Sequence, residues 1–109
     1  MLNQVIIVGR LVADPEMVEL ENGKKVSNLT LAVQRPYKNM DGIYETDFIT
    51  CTLWDSIANN VKEYCHKGDI LGVKGRLQSE TQEINDEKKY KLVVVAEKVT
   101  FLSSKKDEN

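Results

Sequence analysis

Phe48 and Trp54 stand on a segment that alternates without a slip, Thr46-Asp47-Phe48-Ile49-Thr50-Cys51-Thr52-Leu53-Trp54. That period marks a half-buried strand, whose side chains change face at every residue. Ile49, Cys51 and Leu53 make the aliphatic face, which is the core face. Phe48, Thr50, Thr52 and Trp54 share the opposite face, two small hydroxyl side chains between two rings. Large rings on an otherwise polar sheet face serve either as an interface for another protein or as a platform for a flat ligand. Nucleic-acid bases stack on such platforms whatever their sequence. The segment alone leaves both uses open.

Cations and further rings lie close by in sequence. Arg35 precedes a connection expected over Pro36–Glu45, which carries Tyr37, Lys38 and Tyr44 and has a turn signal at Asp41-Gly42. Aromatic and basic residues would thus interleave at the rim of the Phe48/Trp54 face. Arg10, Lys67, Lys74 and Arg76 are further candidates to meet phosphates. The formal net charge of −2 and pI of about 5.4 argue against a protein that holds nucleic acid by charge alone. Local placement of Lys and Arg must serve, with stacking supplying the rest.

Other chemistry finds no support in the residue pattern. His66 is the single histidine, and Cys51 and Cys65 do not fit a metal motif. The two cysteines read as buried free thiols of a reducing compartment. There is no nucleophile elbow, phosphate loop or carboxylate pair with a base at useful spacing. Gly72-Val73-Lys74-Gly75-Arg76 lacks the helix that a glycine-rich phosphate loop needs, so it reads as strand. No enzyme activity, cofactor or metal is expected.

The elements that must position these residues follow from the same periodicities. Gln4–Val12 reads as a strand, with Val5, Ile7, Gly9 and Leu11 on one face and Ile6, Val8, Arg10 and Val12 on the other. Gly9 marks a bulge or bend. Asp14-Pro15 ends it. A short strand over Met17–Leu20 turns through Asn22-Gly23 into a strand from Val26 to Arg35, with Leu29, Leu31 and Val33 inward. The central strand leads into a helix. Asp55 is its N-cap, Ile57, Val61, Tyr64 and Cys65 form its buried face, His66 lies in its last turn, and Gly68 follows its C-cap. Ile70–Glu83 is a long strand with Leu71, Val73, Gly75 and Leu77 inward. A charged turn over Asn85–Lys88 precedes a last strand, Lys89–Leu102. Ser103–Asn109 is polar and expected to be a disordered tail.

Five main antiparallel strands with one helix between the third and fourth is the order of an all-β, five-stranded OB-fold barrel. The 109 residues suit one domain, placed at 1–102. No apolar run reaches the length of a membrane span, and the N-terminus shows no basic leader with a cleavage site. A cytoplasmic location is therefore expected. The first strand and Leu92–Ala96 are apolar on both faces. Ile6 and Val8, and either Val93/Val95 or Leu92/Val94, cannot all lie inside one small barrel. They predict pairing of the first strand with its copy across a two-fold axis, and a closed four-subunit assembly.

The ordered set Asn3, Val8-Gly9-Arg10-Leu11, Asp14-Pro15-Glu16, Gly23, Leu31-Ala32-Val33, Arg35, Phe48, Trp54, Lys67-Gly68, Val73, Gly75-Arg76-Leu77, Val95-Ala96-Glu97 and Phe101-Leu102 resembles the bacterial single-stranded DNA-binding proteins. The resemblance covers residues 1–102. It implies an OB-fold homotetramer that wraps single-stranded DNA without sequence preference, protects it during replication, recombination and repair, and stacks bases on Tyr37, Phe48 and Trp54. It also implies a nucleoid-associated protein. The sequence departs from the family at two places. Gln82 stands at about the position of a fourth aromatic, and Glu80 where a basic residue is common, so the loop between the last two strands is expected to bind less well. The Gly/Pro/Gln-rich tail with its acidic tip does not follow residue 102, so recruitment of replication and repair proteins through such a tip is not expected. Two other readings stay in play: a primosome-type or RNA-binding OB protein that is dimeric, and an assembly module whose exposed rings meet protein partners.

Overall fold

The alternation along residues 46–54 survives in the folded chain: Ile49 is half-buried, Cys51 and Leu53 are fully buried, and Phe48 and Trp54 are exposed. The computed structural model describes residues 1–103. The expected polar tail lies outside the described residues from 104 onward. Six strands and one helix follow in the order β1 (Val5–Leu11), β2 (Val18–Glu19), β3 (Lys25–Lys38), β4 (Tyr44–Trp54), α1 (Asp55–Tyr64), β5 (Ile70–Ile84) and β6 (Glu87–Phe101).

The five long strands close on themselves in the order β1-β5-β6-β4-β3, with β1 returning to β3 at Arg10↔Ala32 and Leu11↔Leu31. The short β2 hangs on the start of β3. This is an OB-fold barrel with its helix between the third and fourth long strands, as the element order predicts. One pairing differs. β4 and β6 are parallel, meeting at Cys51↔Val94 and Thr52↔Val95, so the barrel is not wholly antiparallel. The core inside it is aliphatic: Ile7, Leu11, Leu29, Leu31, Leu53, Leu71, Val73 and Val94 pack with Cys51 and, from the helix, Ala58 and Val61.

Several local expectations change. The connection expected over Pro36–Glu45 is mostly strand: β3 runs on to Lys38, pairs with Tyr44, and leaves only Asn39–Ile43 as the turn. A register shift between Gln34 and Lys38 accommodates Pro36, which has no N–H to give a ladder. The Asn39 side-chain oxygen accepts from the N–H groups of Asp41 (2.9 Å) and Ile43 (3.0 Å) and fixes the turn.

Asp55 is not the N-cap. It is the first helical residue, at φ 50°, and Trp54 precedes it without a side-chain cap. The Asp55 carboxylate instead accepts from the Lys25 N–H (3.0 Å), tying the helix start to β3. The helix ends at Tyr64, so His66 lies beyond it, and Tyr64 is exposed with its ring edge-on to Phe101 at 6.3 Å. Gly68, at φ 95°, belongs to the following turn and donates to the Leu11 carbonyl (2.9 Å) rather than closing the helix.

In β6, Lys74 pairs with Lys98 and Gly75 with Ala96, which leaves Glu97 as a bulge. The bulge shifts the alternation, so Val94 and Ala96 face the core above it and Val99 below it. Gly9 is not a bulge but a close approach. A Cβ there would lie 2.9 Å from the Ala32 carbonyl oxygen. Val93 and Val95 are buried within the single chain. Of the surplus apolar residues, Ile6 (71%), Val8 (52%) and Leu92 (67%) stay exposed.

Candidate nucleic-acid interface

β4 carries the ledge. Phe48 lies opposite Ala32, and Ala32 opposite Arg10, so Arg10 and Phe48 flank one small residue on the outer surface. Thr50 lies opposite Thr30. Thr52 is nearly buried and donates through Oγ1 to the Asn28 side-chain oxygen (2.8 Å). Its row continues through Val95 to Arg76 on β5, whose Nη1 donates to Gln78. Trp54 ends the line opposite Val26. The two rings are thus separated by small side chains over roughly 20 Å, six residues at the rise of a strand. A floor of threonines and Ala32 lets a flat ring approach each aromatic face.

The β3–β4 hairpin extends this surface. Tyr37 is exposed, and the Lys38 ammonium lies 5.7 Å from the centroid of the Tyr44 ring, a cation–π contact that holds both at the tip. Arg35 is brought to the base of the hairpin but engaged there. Its Nη2 and Nε reach the Asp47 carboxylate at 2.8 and 3.1 Å, and its Nη1 reaches Glu45 at 2.9 Å. The hydrogen bond from Arg35 holds the Asp47 carboxyl below the usual range, and the same bond raises the guanidinium pKa.

Lys67 and Arg10 converge on one turn. Arg10 Nη1 donates to the Gly68 carbonyl (2.7 Å), and the Lys67 N–H donates to Asp14 (2.7 Å). Lys74 is not brought to the ledge. It pairs with Ile6 and Lys98 on the β1–β5 side of the barrel. Sequence reasoning missed Asn28, whose side chain joins Thr52 on the ledge. No local pattern marks it, because only the β3–β4 register brings the two together.

Among the described residues there is no group of His, Cys, Asp or Glu able to hold a metal, and no helix long and apolar enough to cross a membrane. Burial pushes the Cys51 thiol up to about 11, which suits a core residue rather than a nucleophile.

Residues 2–102 match the single-strand binding protein family. The chain belongs to that family. Single-stranded DNA-binding protein 3 of Listeria innocua is 46% identical over 108 residues, covering 98% of this chain and 68% of that protein. The single-stranded DNA-binding protein of Halalkalibacterium halodurans is 46% identical over 103 residues, covering 94% of this chain and 61% of that one. Single-stranded DNA-binding protein B of Bacillus subtilis is 43% identical over 110 residues, covering 99% and 96%. The chain therefore spans about two thirds of some single-strand binding relatives and nearly all of others.

Proposed function

We propose that this member of the single-strand binding family binds single-stranded DNA without sequence preference, as a non-catalytic cytoplasmic protein of the nucleoid serving replication, recombination and repair. The observation that carries the reading is the ledge: Phe48 and Trp54 exposed on one strand face, with small residues between them. Stacking on rings reads no base edges, so the reading predicts sequence tolerance. Tyr37, Tyr44 and Lys38 extend the path at the hairpin tip. Arg10, Lys67 and Arg76, with the Thr50 and Thr52 floor, flank the ledge.

Tryptophan fluorescence tests this with three ligands, oligo-dT, oligo-rU and duplex DNA. Quenching and tight binding are expected with oligo-dT and not with duplex. Equal or tighter binding of oligo-rU would favour an RNA-binding protein. No binding to any of them would favour a protein-assembly module.

Arg35 answers to its carboxylates. Asp47→Asn combined with Glu45→Gln is expected to free the guanidinium from both ion pairs, tighten oligo-dT binding, and make the log–log salt slope more negative by up to about 0.7, the share of one phosphate on a single strand. The same ion pair sets a pH dependence. The Asp47 pKa is lowered in the fold, so the pair's stabilisation is present above the unfolded carboxylate value, about 3.9, and fades as pH falls through the folded one. An unchanged slope in the variant would remove Arg35 from the phosphate path.

The assembly proposed is a homotetramer. β1 pairs with β5 from Val5 to Arg10 but with β3 only at Arg10 and Leu11. The other edge of Val5–Gly9 is open among the described residues, and Ile6 and Val8 are exposed beside it. An apolar open edge is the template for pairing with a second copy. Light scattering of the unmodified chain should give the mass of four chains. Ile6→Asp should lower that mass while the circular dichroism of the barrel stays unchanged. A monomeric unmodified chain would sink the proposal.

A further inference from the structure

The two ends of the ledge differ in chemistry. β4 and β6 pair only at Cys51↔Val94 and Thr52↔Val95. On the Phe48 side of those rungs they part, and Phe48 borders an apolar groove of about 560 Å³ between them. Toward Trp54 the surface is polar. There the register sets Asn28 of β3 directly opposite Thr52 of β4. Residues so paired share one face of the sheet, and Thr52 alternates with Phe48 and Trp54. Asn28 therefore stands on the ledge itself, and it is exposed there.

We propose that Asn28 reads the base stacked on Trp54, its side-chain N–H₂ donating to a carbonyl oxygen on that base. The proposal rests on the single-strand-binding reading above and adds to it one contact that favours thymine. Orientation carries it first. Thr52 Oγ1 donates to the Asn28 Oδ1 at 2.8 Å. Thr52 is only 5% exposed, so its hydroxyl has little water to turn to, and the bond fixes the amide with its carbonyl toward the floor. The Nδ2 group then points away from Thr52, and it has no hydrogen-bond partner among the described residues.

Position carries it next. The Asn28↔Thr52 rung lies two residues from the Val26↔Trp54 rung, about 7 Å along the strands. That is within the width of a base lying on the indole. Phosphates keep to the rim of a stacked strand, where Arg10, Lys67 and Arg76 flank the ledge. Apart from the indole, Asn28 is the one side chain with an N–H group on the β3–β4 floor from Trp54 to Phe48. The carboxylates of Glu45 and Asp47 are held by Arg35 beyond Phe48, so they do not compete for it. The engaged oxygen sets the base bias. An asparagine reads adenine through both ends of its amide, accepting from N6 and donating to N7. With Oδ1 taken by Thr52 that mode is closed. A lone donor remains, and it suits a carbonyl such as O4 of thymine.

The test titrates the full chain with two oligonucleotides of equal length. One is oligo-dT. The other carries difluorotoluene bases, which keep the shape of thymine but have fluorine in place of both carbonyl oxygens. Asn28→Ala should weaken oligo-dT by about 2- to 12-fold, the net worth of one hydrogen bond, and leave the analogue unchanged. Asn28→Asp keeps an acceptor for Thr52 and removes the N–H₂ group. Its added charge acts on both ligands alike, so the ratio of their affinities should fall as far as in Asn28→Ala. Thr52→Val should lower the same ratio, and should add nothing in an Asn28→Ala background, because Thr52 acts by holding the amide. A ratio unchanged by Thr52→Val would overturn that orienting role. Equal losses of both ligands in Asn28→Ala would assign the side chain to phosphates or to the fold and overturn the base contact. If Trp54→Ala, run alongside, weakens oligo-dT and Asn28→Ala does not, the proposal falls while the ledge stands. If neither substitution matters, the single-strand-binding reading fails and takes this one with it.

Discussion

Gly75→Ala is expected to destabilise the barrel by about 3 kcal/mol or more, the upper end of what overpacking costs. A Cβ at Gly75 would fall well inside contact with the Val95 carbonyl oxygen, and within 2.9 Å of its carbon and 3.2 Å of the Ala96 Cα. Every one of these obstacles is backbone, held by the β5–β6 ladder next to the Glu97 bulge, so no rotamer change can relieve them. Domain stabilities run to about 5–15 kcal/mol, so the variant forfeits a large share of its total. In a domain of this size 1 kcal/mol moves Tm by about 4–8 °C. The thermal midpoint should therefore fall by some 12 °C or more. Gly72→Ala is the control, because its added methyl first meets the Leu102 Cδ1 at 3.4 Å, the end of a flexible side chain. Equal melting of the two variants would show that the bulge relaxes and that Gly75 is not required by close approach.

Removing both rings of the ledge, Phe48→Ala with Trp54→Ala, should have the largest effect on binding. One stacked base is worth ~1–3 kcal/mol. The two side chains lie far enough apart along β4, roughly 20 Å, for their effects to add. The pair should thus lose ~2–6 kcal/mol of oligo-dT affinity, read by equilibrium titration with a labelled oligonucleotide because the tryptophan is gone. Both rings are solvent-exposed, so the melting temperature should change little. A double variant that binds no worse than Trp54→Ala alone would mean that Phe48 serves the groove or a subunit contact instead. A variant that unfolds would mean that the rings support the barrel.

What could be read from the sequence was whatever has a local period. The two faces of β4, the inward Leu29 and Leu31 of β3, and the Asn22-Gly23 hairpin depend on neighbours one to four residues away, and they fold as read. The parallel Cys51↔Val94 contact depends on strands that are distant in the chain, and no local pattern states their register. Asp55 misleads for a related reason. A carboxylate before a helix is a good cap, but here the Lys25 N–H, thirty residues upstream, takes it. Pro36, Asn39 and Gly42 each signal a break, so their sum reads as a long loop, while the register shift in β3 lets the strand continue past Pro36. Val93 and Val95 look surplus because alternation puts them on the face away from Val94 and Ala96, and their burial depends on what the fold lays over that second face. Within the site, exposure separated Phe48 and Trp54 from the core correctly. The ion pairs of Arg35 and the position of Lys74 beside Ile6 needed the fold.

The partners of β1 in β5 lie 60 residues downstream at Arg10↔Ile70 and 70 at Val5↔Gly75. A ribosome adding about 5–20 residues per second therefore leaves this first-made strand without its neighbour for some 3–14 seconds. Through that interval Ile7 and Leu11 have no barrel to enter. The open edge of β1, with Ile6 and Val8 beside it, takes its folded form only once β5 has emerged. The subunit pairing proposed for that edge would thereby be reserved for finished chains, and incomplete ones on neighbouring ribosomes would lack a properly shaped surface on which to join.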